Sequence, residues 1–199
     1  MSIELLNEIK QVVESYGIDP YFTYAVAMVE SNGKGYRNNG FPTIRFEKHV
    51  FLRYLKKAKV SQQIIRKAEC IKGSGWDAYQ NALAIDEHYA KLSTSYGIFQ
   101  IMGFNHSIVG YNTVKEFVEA MELSTEKQIE AFCMFVINTH IKRAINNKDF
   151  SSFAYTYNGP NYRMNNYDIK LESIYTSLVE GTIEETKSKK RKGYTQAKE

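Results

Sequence analysis

The sequence predicts a mainly α-helical domain that carries one short extended segment. Apolar residues recur at helical spacing along most of the chain, and helix caps separate the periodic stretches. Only one stretch combines strand-forming residues with flanking glycine and proline. With 199 residues, the chain is long enough to bury a core without disulfides or a metal. We expect one domain over residues 1–186, followed by a basic, disordered tail over 187–199.

Caps and glycines delimit the first two predicted helices. The first covers residues 3–15 and ends before Gly17, because glycine readily adopts the left-handed conformation of a helix end. The second begins after Asp19, a favoured N-cap residue that is followed by a proline suited to the first helical position. It is predicted to end at Glu30 or Ser31, just ahead of two closely spaced glycines.

The extended segment is predicted near residues 42–47, within the stretch GFPTIRFE. A helix that begins at Ser124 or Thr125 is expected to be central and buried. Its apolar residues recur at positions i, i+3, i+4 and i+7, namely Ile129, Phe132, Cys133 and Val136. The other predicted helices cover 49–57, 61–67, 76–89, a stretch opened by the T-x-x-E capping box at 113–116, 149–156 and 168–179.

The positive charge of the chain is concentrated at its C-terminus. The net charge is +4, and residues 187–199 hold six basic side chains against one acidic, so residues 1–186 are close to neutral. A basic face on the domain is therefore not implied. The basic run can contact nucleic acid, anionic envelope polymers or solvent alone. We expect a solvated tail without nucleic-acid binding, and an electrostatic contact with the cell envelope through 187–192 stays open.

No disulfide framework, metal site or cofactor is predicted. Cys70 and Cys133 are expected to be buried free thiols, and the four histidines are scattered. The N-terminal segment has acidic residues where a secretory signal needs basic ones, and no stretch is long enough to span a membrane. We expect a monomer that is synthesised in the cytoplasm.

Glu30 is the first candidate for chemistry. It follows the apolar run Ala25-Val26-Ala27-Met28-Val29, and on a helix its neighbours one turn back are apolar. Partial desolvation raises the pKa of a carboxyl group and keeps it protonated near neutrality, as a general acid for a glycosidic oxygen requires. The alternative is an ordinary solvated glutamate at a helix end.

Glu47 is the candidate second carboxylate. It ends the extended segment, where it can activate a water molecule or stabilise positive charge at an anomeric carbon. The alternative is an ion pair with Lys48, Arg45 or another basic residue.

Two further segments contain residues suited to binding a sugar. In the run SYGIFQIMG at 95–103, Gln100 can form hydrogen bonds to sugar hydroxyl and acetamido groups. The alternative is a short core helix with one buried amide. In the run YTYNGPNY at 155–162, a tyrosine face can support a sugar ring while Asn158 bonds to it. The alternative is a helix end with core tyrosines.

Taken together, four segments resemble the N-acetylmuramidase family of phage endolysins and bacterial cell-wall hydrolases. They are AVAMVESNGKGY at 25–36, PTIRFEKHVF at 42–51, SYGIFQIMGFNHSIVGY at 95–111 and YNGPNYRMNNYDIKL at 157–171. A more distant similarity to goose-type lysozymes and lytic transglycosylases implies a lysozyme-like helical fold. The resemblance implies hydrolysis of the bond from N-acetylmuramic acid to N-acetylglucosamine in the glycan strands of peptidoglycan. We expect the protein to reach the cell wall by release from the cell that makes it or by injection.

The resemblance also implies roles for individual residues. Glu30 is carried over as the catalytic acid. Glu47 is carried over only as a candidate for the second catalytic group, because the identity of that group varies among these folds. The implied substrate-binding residues are Ser95, Gln100, Met102, Tyr157, Asn158 and Tyr162.

Two alternatives to hydrolysis remain at this point. A lytic transglycosylase needs the same acid but no water, because the 6-hydroxyl of muramic acid closes an anhydro ring. A non-catalytic wall-binding or phage structural module keeps the cleft and lacks turnover. The presence of Glu30 argues against the module, and Glu47, which can serve a water, favours the hydrolase.

Overall fold

Eleven α-helices and one small sheet form the chain in the computed structural model, which describes the backbone of residues 2–196 and the side chains of residues 2–181. The helices are α1 (Ile3–Val13), α2 (Pro20–Ser31), α3 (Lys48–Lys57), α4 (Gln62–Glu69), α5 (Trp76–Leu83), α6 (Glu87–Leu92), α7 (Val114–Leu123), α8 (Thr125–Asn138), α9 (Lys142–Asn147), α10 (Phe150–Asn158) and α11 (Tyr167–Gln196). The strands are β1 (Ile44–Phe46), β2 (Thr94–Tyr96) and β3 (Ile101–Met102).

The start and the end of α2 follow from local sequence. The Asp19 carboxylate accepts hydrogen bonds from the backbone N–H groups of Tyr21 at 2.8 Å and Phe22 at 3.0 Å, which caps the helix. At the other end Asn32 adopts a left-handed conformation with φ 55°, which stops the helix after Ser31. The predicted second helix is therefore confirmed at both ends, and Glu30 lies in its last turn.

Helix α8 lies in the core, as predicted. Ile129, Phe132, Cys133 and Val136 are all fully buried. Helix α1 packs against α8 and α2, and α2 in turn packs against α11. The expectation of a buried Cys133 is confirmed, but the same expectation for Cys70 is wrong, because Cys70 caps the C-terminus of α4 and is exposed.

The three strands form one antiparallel sheet in the order β1-β2-β3. Ile44 pairs with Tyr96, and Ser95 pairs with Met102. The extended segment predicted near 42–47 is confirmed by β1. The other two strands were not predicted, and the alternative of a short core helix over 95–103 is wrong, because β2 pairs with β1 across 50 residues of chain.

Two helical predictions differ from the structure, and one helix was not predicted. The helix predicted over 76–89 divides into α5 and α6, because Asp86 caps a new helix by accepting a 2.8 Å bond from the Tyr89 N–H group. Helix α9 was not predicted, and α11 extends beyond the predicted end at residue 179. The prediction of a disordered tail concerns residues 187–199. The side chains of these residues lie outside the part that the structure describes, and so does the backbone from residue 197 onward.

Within the described part of the chain, none of the helices combines the length and the apolar character that crossing a membrane requires.

Candidate active site

A groove of about 680 Å³ brings together residues from distant parts of the chain. The C-terminal turn of α2, one face of the sheet and the C-terminal end of α10 contribute to its walls. Seven of the eight predicted site residues line it: Glu30, Glu47, Ser95, Gln100, Met102, Tyr157 and Asn158. The sheet face that it uses carries Arg45 and Ser95, which are paired across β1 and β2.

Glu30 is half-buried at the end of α2 and has a specific hydrogen-bond partner. The hydroxyl of Tyr167 donates a 2.6 Å bond to its Oε1 atom. Burial raises the pKa of Glu30 from 4.5 to about 7, and this effect outweighs the hydrogen bond from Tyr167 and the positive charge of Arg45, which both lower it. The carboxyl therefore exchanges its proton near neutral pH, as predicted from its apolar neighbours.

Two tyrosines lie beside this carboxyl, of which Tyr167 is buried and Tyr157 is half-buried. Burial and the negative charge of Glu30 raise the pKa values of Tyr157 and Tyr167 well above 10. Both hydroxyls therefore stay protonated and act as hydrogen-bond donors. Tyr157 donates to the backbone carbonyl of Phe99 at 2.7 Å, and its ring stacks on Phe153 with centroids 5.0 Å apart. Tyr157 thus lines the groove while its hydroxyl holds the 97–100 turn in place.

Glu47 lies at the groove and also forms the ion pair that the sequence left open. It borders the groove, and its Oε1 atom lies 3.0 Å from the Nε atom of Arg45. His49 places its Nδ1 atom 3.5 Å from the other carboxylate oxygen. Lys48, which was also a possible partner, donates instead to the Ile71 carbonyl at 2.8 Å. The positive charge of Arg45 therefore acts on both carboxyl groups, because it forms an ion pair with Glu47 and also lowers the pKa of Glu30.

The turn between β2 and β3 depends on an amide side chain. Gln100 has a φ of 51°, and its Nε2 atom donates to the carbonyls of Gly97 at 2.8 Å and Thr43 at 3.1 Å. Its Oε1 atom accepts a 2.8 Å bond from the Ser95 hydroxyl. The polar groups of Ser95 and Gln100 are thus bonded to one another and to the backbone at the groove wall, which makes this wall rigid.

Gln128 is a supporting residue that the sequence did not reveal. Its Oε1 atom accepts a 2.7 Å bond from the Ile98 N–H group, and its Nε2 atom donates to the Met121 carbonyl at 2.8 Å. Ser31 completes the connection by donating to the Ile98 carbonyl at 2.8 Å. A Cβ atom at Gly97 would lie 2.6 Å from Gln128 Oε1, so only glycine allows this approach.

Tyr162 is the one predicted binding residue that the structure places apart from the others. Its side chain is buried, and its hydroxyl accepts a 3.1 Å bond from the Nε atom of Arg163. It is not among the described residues that line the groove. Tyr167, which begins the next helix and donates its hydroxyl to Glu30, was not predicted to belong to the site.

Comparisons with known proteins bear on the family and the fold of this chain. The family described as N-acetylmuramidase matches residues 19–179, which include Glu30, Glu47 and both tyrosines beside Glu30. The crystal structure of the Burkholderia AP3 phage endolysin is similar to this chain, with a TM-score of 0.73 and 32% sequence identity over 86% of this chain and 70% of that one. No curated protein matches. The predicted lysozyme-like helical fold and the resemblance to the family are confirmed.

Proposed function

The chain belongs to the N-acetylmuramidase family, and from that premise we propose that it hydrolyses the bond from N-acetylmuramic acid to N-acetylglucosamine with Glu30 as general acid. Family membership identifies a glycoside hydrolase that acts on peptidoglycan. The observation that carries the finer proposal is the carboxyl of Glu30, whose pKa is raised to about 7 by burial beside the groove. Such a group is protonated in a useful fraction at neutral pH and can still release its proton.

In the proposed reaction, Glu30 transfers its proton to the glycosidic oxygen while the bond from that oxygen to the anomeric carbon breaks. The leaving sugar departs with a free hydroxyl group, and positive charge develops at the anomeric carbon. The carboxylate that remains on Glu30 is stabilised by the hydroxyl of Tyr167 and by the charge of Arg45, since both favour its ionised form. The two groups therefore assist the proton transfer.

We propose that Glu47 is the second catalytic group and assists the step in which water completes the hydrolysis. Its carboxylate borders the same groove and is oriented by Arg45 and His49. A carboxylate in this place can accept a proton from water or stabilise the positive sugar directly. The first role requires carboxyl groups about 6.5–9.5 Å apart with inversion at the anomeric carbon, and the second about 5–5.5 Å with retention. We propose that the protein acts as a monomer on the bacterial cell wall.

Product analysis on purified peptidoglycan tests the assignment of bond and reaction. We expect mass spectrometry to find new muramic acid residues at reducing ends, which borohydride converts to the alditol. Ends lighter by one water and resistant to borohydride would identify a transglycosylase. Reducing ends on N-acetylglucosamine would identify a different bond, and no new ends would indicate a non-catalytic module. Glu30→Gln serves as the control, because it is expected to release these ends about 10²–10⁴-fold more slowly than the wild type.

A further inference from the structure

A second cavity, of about 430 Å³, is lined by the last residue of α2, by part of the loop that follows it and by Thr43, just ahead of β1. Thr43 directly precedes β1 and Glu47 directly follows it. Alternate residues of an extended segment point to the same face, so Thr43, Arg45 and Glu47 are expected on one side of this segment. Arg45 and Glu47 line the catalytic groove, whereas Thr43 lines the second cavity. Consecutive residues at the end of α2 also line the two spaces, since Glu30 lines the groove and Ser31 lines the second cavity.

The lining of this second cavity is cationic and polar. Lys34, Arg37, Asn38 and Asn39 contribute to it, and no acidic residue does among the side chains that the structure describes. In the same described region, neither Lys34 nor Arg37 has a carboxylate within 4.0 Å. The Arg37 guanidinium carbon lies 5.0 Å from the centre of the Trp76 ring, a contact that restrains it. Two unpaired cations and two amides can bind a carboxylate.

The substrate of the proposed reaction carries carboxylates close to the bond that is cleaved. In peptidoglycan the peptide stem is attached through the lactyl group on O3 of muramic acid, and it bears free carboxylates. If Glu30 cleaves the bond at the anomeric carbon of muramic acid, that sugar and the root of its stem lie beside the end of α2. We propose that Lys34 and Arg37, with Asn38 and Asn39, bind carboxylates of the peptide stem. The inference rests on the proposed function.

Steady-state kinetics of Lys34→Gln/Arg37→Gln test this assignment on two substrates. One is soluble peptidoglycan strands with intact stems, and the other is the same strands after an amidase has removed the peptides and left the lactyl carboxylates. On strands with stems, we expect the KM of the double variant to rise about 2- to 10-fold, since each exposed ion pair contributes modestly. On stripped strands, the KM of the wild-type protein is expected to rise toward that of the variant.

Two control variants test whether the effect of the double variant depends on the charge of the two side chains and on their position in the cavity. Lys34→Arg/Arg37→Lys keeps both charges and is expected to retain the low KM on strands with stems. Lys67→Gln removes a charge from the exposed face of α4, which lines neither cavity, and is expected to behave as the wild type. Added salt should raise the KM of the wild type on strands with stems more than that of the double variant.

Several results would overturn the inference. An unchanged KM in the double variant on strands with stems would do so. An equal increase on both substrates would assign the cations to the lactyl carboxylate or the sugar instead of the stem. Failure of the proposed function is distinguishable, because the wild type would then release no muramic acid reducing ends from either substrate. If the double variant does not fold, each single variant is compared on the same two substrates.

Discussion

The hydroxyl of Tyr167 lies 2.6 Å from Oε1 of Glu30 and joins the first residue of α11 to the last turn of α2. The two residues are 137 positions apart in sequence, so only the packing of α11 against α2 creates this bond. The contact has an electrostatic consequence, because a hydroxyl that donates to a carboxylate favours its ionised form. Tyr167 therefore limits the rise in the pKa of Glu30 that burial produces.

Replacing this hydroxyl tests its effect on Glu30. Tyr167→Phe keeps the buried ring and removes the donor, so the pKa of Glu30 is expected to rise further. The alkaline limb of the profile of kcat/KM against pH should then move to higher pH. Tyr155→Phe is the matched control, because Tyr155 is 60% exposed and lies on α10. An unshifted limb in Tyr167→Phe would mean that the hydroxyl does not act on the group that controls this limb.

The pH dependence of the wild-type enzyme follows from the raised pKa of Glu30. A general acid is active only while protonated, so kcat/KM should fall as the pH rises through about 7. Above that value the fall should approach tenfold for each pH unit. Rates on soluble glycan strands, measured at constant ionic strength, check this. Activity that stays constant from pH 6 to pH 9 would show that no group with this pKa donates the proton.

Substitution of Glu47 separates its two possible roles. If Glu47 assists the water, Glu47→Gln should lower kcat about 10²–10⁴-fold. The ion pair with Arg45 is partly exposed and contributes at most about 1 kcal/mol to stability, so the thermal midpoint should barely change. Arg45→Gln removes the same ion pair but keeps the carboxylate, and it provides the control for the thermal midpoint. Loss of kcat of only a few-fold in Glu47→Gln would leave Glu47 as an ion-pair partner alone.

Gln128 is expected to be important for stability and for the groove wall. Gln128→Ala leaves the buried N–H group of Ile98 and the carbonyl of Met121 without their partner, which should cost about 1–3 kcal/mol in the free energy of unfolding. Chemical denaturation measures the loss. Gln11→Ala makes the same change on the exposed face of α1 and should cost much less. Equal stabilities of the two variants would contradict the role given to Gln128.

Most of the helices and the raised pKa of Glu30 could be predicted because their signals are local. The spacing of Ile129, Phe132, Cys133 and Val136 identifies a buried helix face, and Asp19 identifies the start of α2. The position of Glu30 after an apolar run on that helix was enough to predict a raised pKa. These features depend on residues within one or two helical turns of each other.

The rest of the site depends on contacts between distant segments. β2 is a strand because it pairs with β1, and the turn after it needs Gly97 and Gln100 at positive φ together with the buried amide of Gln128. In sequence, Gln128 reads as a polar residue on a helix surface. Tyr167 likewise has no local signal of its role, because its partner lies on α2. Pairing and packing of this kind cannot be derived from periodicity alone.

The stability of Glu30→Gln provides the folding control for the central experiment. The pKa of Glu30 is raised on folding, so the folded state binds the proton more tightly than the unfolded state. The stabilisation from this proton is complete below about pH 4.5 and is lost as the pH rises through about 7. The neutral glutamine avoids the loss. We therefore expect the variant to be at least as stable as the wild type at pH 8, and equally stable at pH 4.

The rate at which Glu30→Gln releases muramic acid reducing ends from purified peptidoglycan tests the central claim most directly. With a folded variant at saturating substrate, the account predicts a rate about 10²–10⁴-fold below that of the wild type, because the amide has no proton to donate to the glycosidic oxygen. A folded variant that releases these ends at a rate within a few-fold of the wild type would contradict the assignment of Glu30 as the catalytic acid.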